Sequence, residues 1–221
     1  HLQGDDGAAI IFFFMFITMS FVAGVKLKYF IITFSLIALL LPFLWKYVLA
    51  EYQKQRLICQ LNPESDPFGM GFQQIQGKLS IASGQLFGKG LFNGPRVSYG
   101  VVPVQESDFI FSVAGEELGF IGCATVILLL LALLFRTVKI ATQASDNQGT
   151  YICFGFFGMI ASQMIFNLGM CLSILPVMGV TLPFFSAGGS SAACLYLGLG
   201  LIQSVYMQKN DDNKANIFSS K

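Results

Sequence analysis

The sequence contains one histidine, and it is the first residue, His1. Without further imidazoles the residues given cannot assemble a Ser-His-Asp triad, a Cys-His pair or a histidine-ligated zinc site. Charge is also scarce. Asp, Glu, Lys and Arg make up 11% of the chain, less than half of the roughly 25% usual in soluble domains. Thirteen basic and twelve acidic residues leave a net charge of +1, so no basic excess is available to neutralise a nucleic-acid backbone, and nucleic-acid binding is not expected. Of the five cysteines, none forms a C-x-x-C pair; Cys123, Cys153, Cys171 and Cys194 lie in apolar runs as small hydrophobes, and Cys59 alone sits in a polar stretch.

What the 221 residues do have is apolar length: 54% are hydrophobic, and the mean hydropathy is +0.67. The uncharged runs Ala8–Val25 and Tyr29–Trp45, near the roughly 20 residues needed to cross about 30 Å of hydrocarbon, predict spans at about 8–25 and 29–46, and the run Leu118–Phe135, after first turns that carry charge, predicts a third at about 109–135. A further stretch from Asn147 to Gln208 carries no charge and is too long for one crossing. Pro176 and Pro183, with Gly179, Gly188 and Gly189 nearby, divide it into spans at about 150–173 and 185–207. The expected fold is therefore all-α, a polytopic transmembrane helix bundle of five spans with one long loop at about 47–108.

Lys26 and Lys28, then Arg136 and Lys139, then Lys209, Lys214 and Lys221 mark one set of ends. The positive-inside rule assigns them to the cytoplasm, which puts the long loop and the Pro176–Pro183 turn on the outer side. The chain has no initiator Met, and Asp5 and Asp6 stand where a signal peptide would be basic. An odd number of spans entered from outside leads to the expectation that this is the C-terminal portion of a larger membrane domain.

Within the loop, Phe72, Ile75, Leu79, Ala82 and Leu86 recur at helical spacing, with Gln76, Ser80 and Ser83 on another face. This pattern fits an amphipathic helix in the headgroup layer, or one packed on the spans. Downstream, Asp108 directly precedes the apolar run of the third span. A carboxylate there is either a helix cap, favoured by the free N–H groups and the helix dipole, or a general base at the membrane–water boundary. Glu116 and Glu117 follow two turns later; intramembrane carboxylates are costly, so at least one should be paired or near water.

The motifs, taken together, resemble the SEDS family (shape, elongation, division and sporulation), whose members include RodA and FtsW. Gln3-Gly4-Asp5-Asp6-Gly7-Ala8-Ala9 resembles that family's Q-P-D-L-G-T-A, and Tyr52-Gln53-x-x-Arg56 its Y-Q-x-x-R. Pro63-Glu64-Ser65-Asp66-Pro67, Gly69-x-Gly71-Phe72, Gln76, Phe87-Gly88-Lys89-Gly90, Asp108-Phe109-Ile110-Phe111 and Glu116-Glu117-Leu118-Gly119 continue the likeness in order. Asn167-Leu168-Gly169, Leu175-Pro176-Val177-x-Gly179-x-x-Leu182-Pro183-Phe184 and Gly188-Gly189-Ser190-Ser191 complete it, and the Y-Q-x-x-R and P-E-S-D-P forms look closer to RodA than to FtsW.

The resemblance implies the last five spans of a ten-span peptidoglycan glycosyltransferase that polymerises lipid II on the outer face of the bacterial cytoplasmic membrane, beside a class B penicillin-binding protein and among membrane lipids. It puts the catalytic aspartate on Asp108 and substrate-supporting positions on Asp5, Gln53, Arg56 and Lys89. Arg56, Lys89 or a divalent cation would meet the leaving diphosphate; no cofactor is otherwise implied. The same residues leave open simpler roles: headgroup binding for Arg56 and Lys89, and capping of the first span for Asp5.

The chain departs from the family pattern at Gly4, Asp6, Ser80, Gln85, Val104, Glu106, Ser107 and Ala187. Glu106 stands where the family has His, and a second carboxylate there would raise the pKa of Asp108 if the two approached. Two other functions fit the same sequence. One is a transporter of lipid-linked precursors, suggested by helices broken at Pro and Gly; the other is a non-catalytic scaffold for a penicillin-binding protein.

Overall fold

A computed structural model describes residues 5–62, 66, 69–102 and 105–219, without the side chains of Leu61, Met70 and residues 210–219. Among these residues the elements are eight helices and no strand: α1 (Asp6–Val22), α2 (Leu27–Tyr47), α3 (Glu51–Leu61), α4 (Met70–Ser83), α5 (Pro95–Ser98), α6 (Ile110–Ala141), α7 (Asn147–Cys171) and α8 (Gly189–Ser219). Helices α2, α6, α7 and the Gly189–Lys209 part of α8 are long and apolar enough to cross a membrane, and α1 is a shorter apolar helix of 17 residues. The chain is thus a polytopic helical membrane bundle. The pieces Gln3-Gly4, Pro63-Glu64-Ser65, Pro67 and Pro103-Val104 of the motifs above lie outside the described residues.

Helix α7 is the hub, packed against α1, α6 and α8. Apolar side chains gain nothing by leaving lipid for a neighbouring helix, so close contacts in a membrane rest on small residues that let backbones approach. Gly158 of α7 lies against Thr18 of α1, whose hydroxyl donates to the Phe154 carbonyl at 3.3 Å. Gly198 of α8 lies against the Phe156 ring of α7 in the same way. Helix α2, by contrast, buries none of its residues, touches α1 through ring contacts such as Phe13–Phe34, and turns its apolar surface outward.

Helix α6 runs past its expected end near 135 to Ala141, carrying Arg136 and Lys139 on its last turns. Helix α4 packs through its small and polar face. Gly71, Gln74, Gly77, Ser80 and, just beyond its end, Gly84 are buried, whereas Leu79 and Leu86 are exposed. Gly77 meets Phe109 and Ser112, and Gly84 meets the main chain of Gly115 and Glu116. The small face is therefore the protein-facing one, and the apolar face is left for the membrane boundary.

Two turns into α6 the helix breaks at Gly119, with φ 67° and ψ −165°, a combination essentially confined to glycine. The loop after α4 fills the gap with its own backbone. The amides of Lys89 and Gly90 donate to the carbonyls of Glu116 and Glu117 at 3.0 Å each, and the amides of Phe120 and Ile121 donate to those of Gln85 and Leu86 at 2.8 and 3.2 Å. Irregular backbone at membrane depth is tolerated when another part of the protein satisfies it; here residues 85–90 do so.

Candidate active site

Asp108 immediately precedes α6, whose cap position is Phe109 and has no side-chain cap bond. Its carboxylate is half-buried, and Ser107 supplies a side-chain hydrogen bond to it. Burial pushes the carboxyl above the usual aspartate range, with the Ser107 hydrogen bond opposing. Glu106, expected to raise that pKa by proximity, is exposed and is not among the causes of the shift; its main-chain carbonyl accepts from the Ala187 amide at 2.9 Å.

The residues around Asp108 are stitched to the loop between α7 and α8. The Ser186 hydroxyl donates to the Ser107 carbonyl at 2.6 Å and accepts from the Leu182 amide at 2.7 Å. Asn167, fully buried in α7, donates from Nδ2 to the carbonyls of Asp108 (2.9 Å) and Val180 (2.7 Å). Between these anchors lies Gly179, with φ +69°, and a Cβ there would stand 3.7 Å from Oδ2 of Asp108. The positive φ turns the loop so that backbone, without a side chain, faces the carboxylate.

The preceding residues of the same loop border a second feature. Pro176 and Met178 line a cavity of about 360 Å³ together with Asp6, Gln53, Arg56 and apolar residues of α1 and α3. Gln53 accepts the Ala50 amide with Oε1 at 3.1 Å and donates from Nε2 to Oδ1 of Asp6 at 2.6 Å. Arg56 reaches Oδ2 of Asp6 at 3.7 Å and lies over the Tyr52 ring, while its Nε is buried without a hydrogen-bond partner among the described residues.

Asp5 caps α1, its Oδ1 accepting the Ala8 amide at 2.9 Å, and it is not among the residues that line this cavity. Asp6, where the family pattern has Leu, is the carboxylate that meets Gln53 and Arg56. The signal for it was the departure itself, a charge replacing an apolar residue beside two polar motif positions. Lys89 lies elsewhere, with Nζ 3.1 Å from Oε1 of Glu116 and 3.0 Å from the Ser83 hydroxyl. Glu116 is fully buried and also accepts the Arg96 amide at 3.2 Å, and the Arg96 guanidinium donates to Gln76 at 2.6 Å. The structure therefore brings Gln53 and Arg56 together, sets Asp108 across the Pro176–Val180 segment from them, and ties Lys89 to the break in α6. Among the described residues no group of three or more His, Cys, Asp or Glu side chains is placed to hold a metal ion, so the divalent cation considered above finds no such ligand set there.

The chain matches the FtsW/RodA/SpoVE family, described as cell cycle protein, over residues 1–211. It is 35% identical over 207 residues to the peptidoglycan glycosyltransferase MrdB of Escherichia coli (strain K12), covering 94% of this chain and 56% of that protein. It is 38% identical to the stage V sporulation protein E of Bacillus subtilis (strain 168), covering 92% and 55% respectively. Among solved structures it resembles a chain studied for the structural coordination of polymerization and crosslinking by a peptidoglycan synthase complex, with a TM-score of 0.77 and 35% identity over 94% of this chain and 57% of that one. The chain spans about half the length of the relatives it matches.

Proposed function

Because the chain belongs to the FtsW/RodA/SpoVE family, we propose that it forms the catalytic half of a peptidoglycan glycosyltransferase that polymerises lipid II at the outer face of the bacterial cytoplasmic membrane. The observation that carries this reading is the placement of Asp108. It is a half-buried carboxylate at the start of a membrane-spanning helix, anchored through its main chain and facing a bare stretch of backbone. A lipid-linked sugar presents its reacting carbons at that depth, just above its diphosphate.

In the proposed reaction the acceptor hydroxyl oxygen attacks the anomeric carbon of the donor. The bond from that carbon to the diphosphate oxygen breaks, and Asp108 takes the hydroxyl proton. A base whose pKa lies closer to neutrality than an ordinary aspartate's accepts that proton more readily in the transition state. The departing diphosphate gathers negative charge, which Arg56, bordering a cavity with apolar walls, is suited to balance. Gln53 holds the Asp6 carboxylate and so sets how much of the Arg56 charge is available. We assign Lys89 a substrate-supporting role from a separate position, where Glu116 and Ser83 fix its ammonium. The partner in this reading is a class B penicillin-binding protein that crosslinks the product.

The test is reconstitution of the intact protein with that partner and labelled lipid II. Wild type should make glycan polymer, and Asp108→Ala and Asp108→Asn should make none above background. Polymer undiminished in both variants would end the assignment. Lipid movement across the bilayer without polymer would favour transport, and partner binding without either would favour a scaffold.

A further inference from the structure

Asp108 owes its position to a side chain from another helix. Its carbonyl oxygen lies at the start of α6, and it is reached by Nδ2 of Asn167 at 2.9 Å. The other hydrogen of the same amide goes to the Val180 carbonyl at 2.7 Å. Asn167 is completely buried, on a helix that carries no charged residue from Asn147 to Cys171. An amide in such surroundings is costly unless its donors are used, and here both are used on main-chain carbonyls of separate segments.

The geometry has a directional consequence. Val180 follows Gly179, the residue whose missing side chain leaves space beside Oδ2 of Asp108. By gripping the carbonyls of residues 108 and 180 together, the Asn167 amide fixes the distance between the carboxylate and the backbone it faces. The second tie, from Ser186 to the Ser107 carbonyl, stands one residue away and leaves the rotation of the Asp108 peptide unconstrained. Cys171, one turn beyond Asn167, also points its sulfur at the Asp108 carbonyl, but at 3.6 Å a thiol is a weak substitute.

We infer that Asn167 is a positioning residue, holding Asp108 in register with the Gly179 turn so that its carboxylate is presented to the reacting hydroxyl. This rests on the catalytic reading of Asp108 given above. Asn167 donates only to main chain, and its Oδ1 accepts from the buried Cys171 thiol at 3.9 Å, so it acts on the rate of the chemical step and not on capture of the lipid-linked substrate. Misplacing a reacting group by about 1 Å costs on the order of 100-fold in rate.

The experiment uses the intact protein reconstituted with its partner and lipid II, comparing Asn167→Ala, the nearly isosteric Asn167→Asp, and Ser162→Ala on the same helix as a control. Expected is a fall in kcat of roughly 10- to 100-fold in both Asn167 variants with KM changed less than about twofold, and near wild-type values for Ser162→Ala. Wild-type kcat in the Asn167 variants, or a loss confined to KM, would overturn the inference. Failure of both Asn167 variants to accumulate in the membrane would also overturn it, by making the residue a requirement of folding. If Asp108→Ala itself retains full activity, the catalytic reading falls; if Asp108→Ala is silent and Asn167→Ala is normal, only the positioning role falls.

Discussion

The ammonium of Lys89 stands 3.1 Å from Oε1 of Glu116, a carboxylate with no exposed surface, although 27 residues separate them in sequence. The pair locks residues 85–96 onto the broken part of α6. Removing one partner leaves the other charge without compensation, which for a fully buried pair costs roughly 3–5 kcal/mol. The Lys89 side chain is 32% exposed, so water screens part of that loss. Lys89→Met should lower stability by about 2 kcal/mol, and Lys89→Met with Glu116→Gln should recover part of it. Thermal unfolding in nanodiscs measures both; equal losses in the single and double variants would show that the two residues are not coupled.

The raised pKa of Asp108 sets a direction for pH effects. As a base the residue works only when ionised, so the acidic limb of the kcat profile should lie above the ordinary aspartate value of 3.8. Its contribution to folding has the opposite sense. A carboxyl more easily protonated in the native state favours folding most fully below the unfolded pKa, and that contribution is lost as pH rises through the native one. A kcat profile flat down to pH 4 would contradict the burial that causes the shift.

Asp6 and Arg56 should move substrate affinity in opposite directions. Asp6→Asn keeps the shape that Gln53 holds but removes the negative charge 3.7 Å from the guanidinium. Arg56 then offers more of its charge to an anionic diphosphate, and KM for the lipid-linked donor should fall about two- to fivefold, while Arg56→Ala should raise it by about tenfold or more. Steady-state kinetics at low and high salt would check this; parallel changes in KM would remove Arg56 from the binding role.

Gly119 takes a backbone conformation that a Cβ opposes, and a Cβ there would also overlap the Gly88 amide. Gly119→Ala should cost at least about 1–3 kcal/mol. Gly200→Ala, in α8 with open space around it, should fall within about 0.5 kcal/mol of wild type. Melting temperatures of the two variants in the same detergent make the comparison.

Much of this architecture is legible in the sequence because hydrocarbon imposes a simple rule: uncharged runs must be helices of a certain length. The break at Gly119 is not legible by that rule, since Leu118-Gly119-Phe120 reads as uninterrupted apolar helix and the backbone that fills the gap comes from residues 85–90. The apolar stripe of α4 left two readings open, the headgroup layer or packing on the spans; Leu79 and Leu86 are exposed, and the small residues Gly77 and Gly84 mark the packed face. Asp108 was locatable as a carboxylate at a span boundary, while the side chains that tie its segment in place come from α7 and the α7–α8 loop. Asn167 carried a weaker signal, an amide one turn from Gln163 in an uncharged span, and its two targets lie 59 and 13 residues away in the chain.

The insertion of residues 85–90 into α6 makes two arrangements mutually exclusive. With the segment seated, the carbonyls of Glu116 and Glu117 and the amides of Phe120 and Ile121 are answered from outside the helix. If the segment withdraws, those four groups must find one another, and the rod straightens by closing its own turn. Residues 85–90 and an unbroken α6 thus compete for the same four main-chain groups, and the kink lasts only as long as its wedge stays in place.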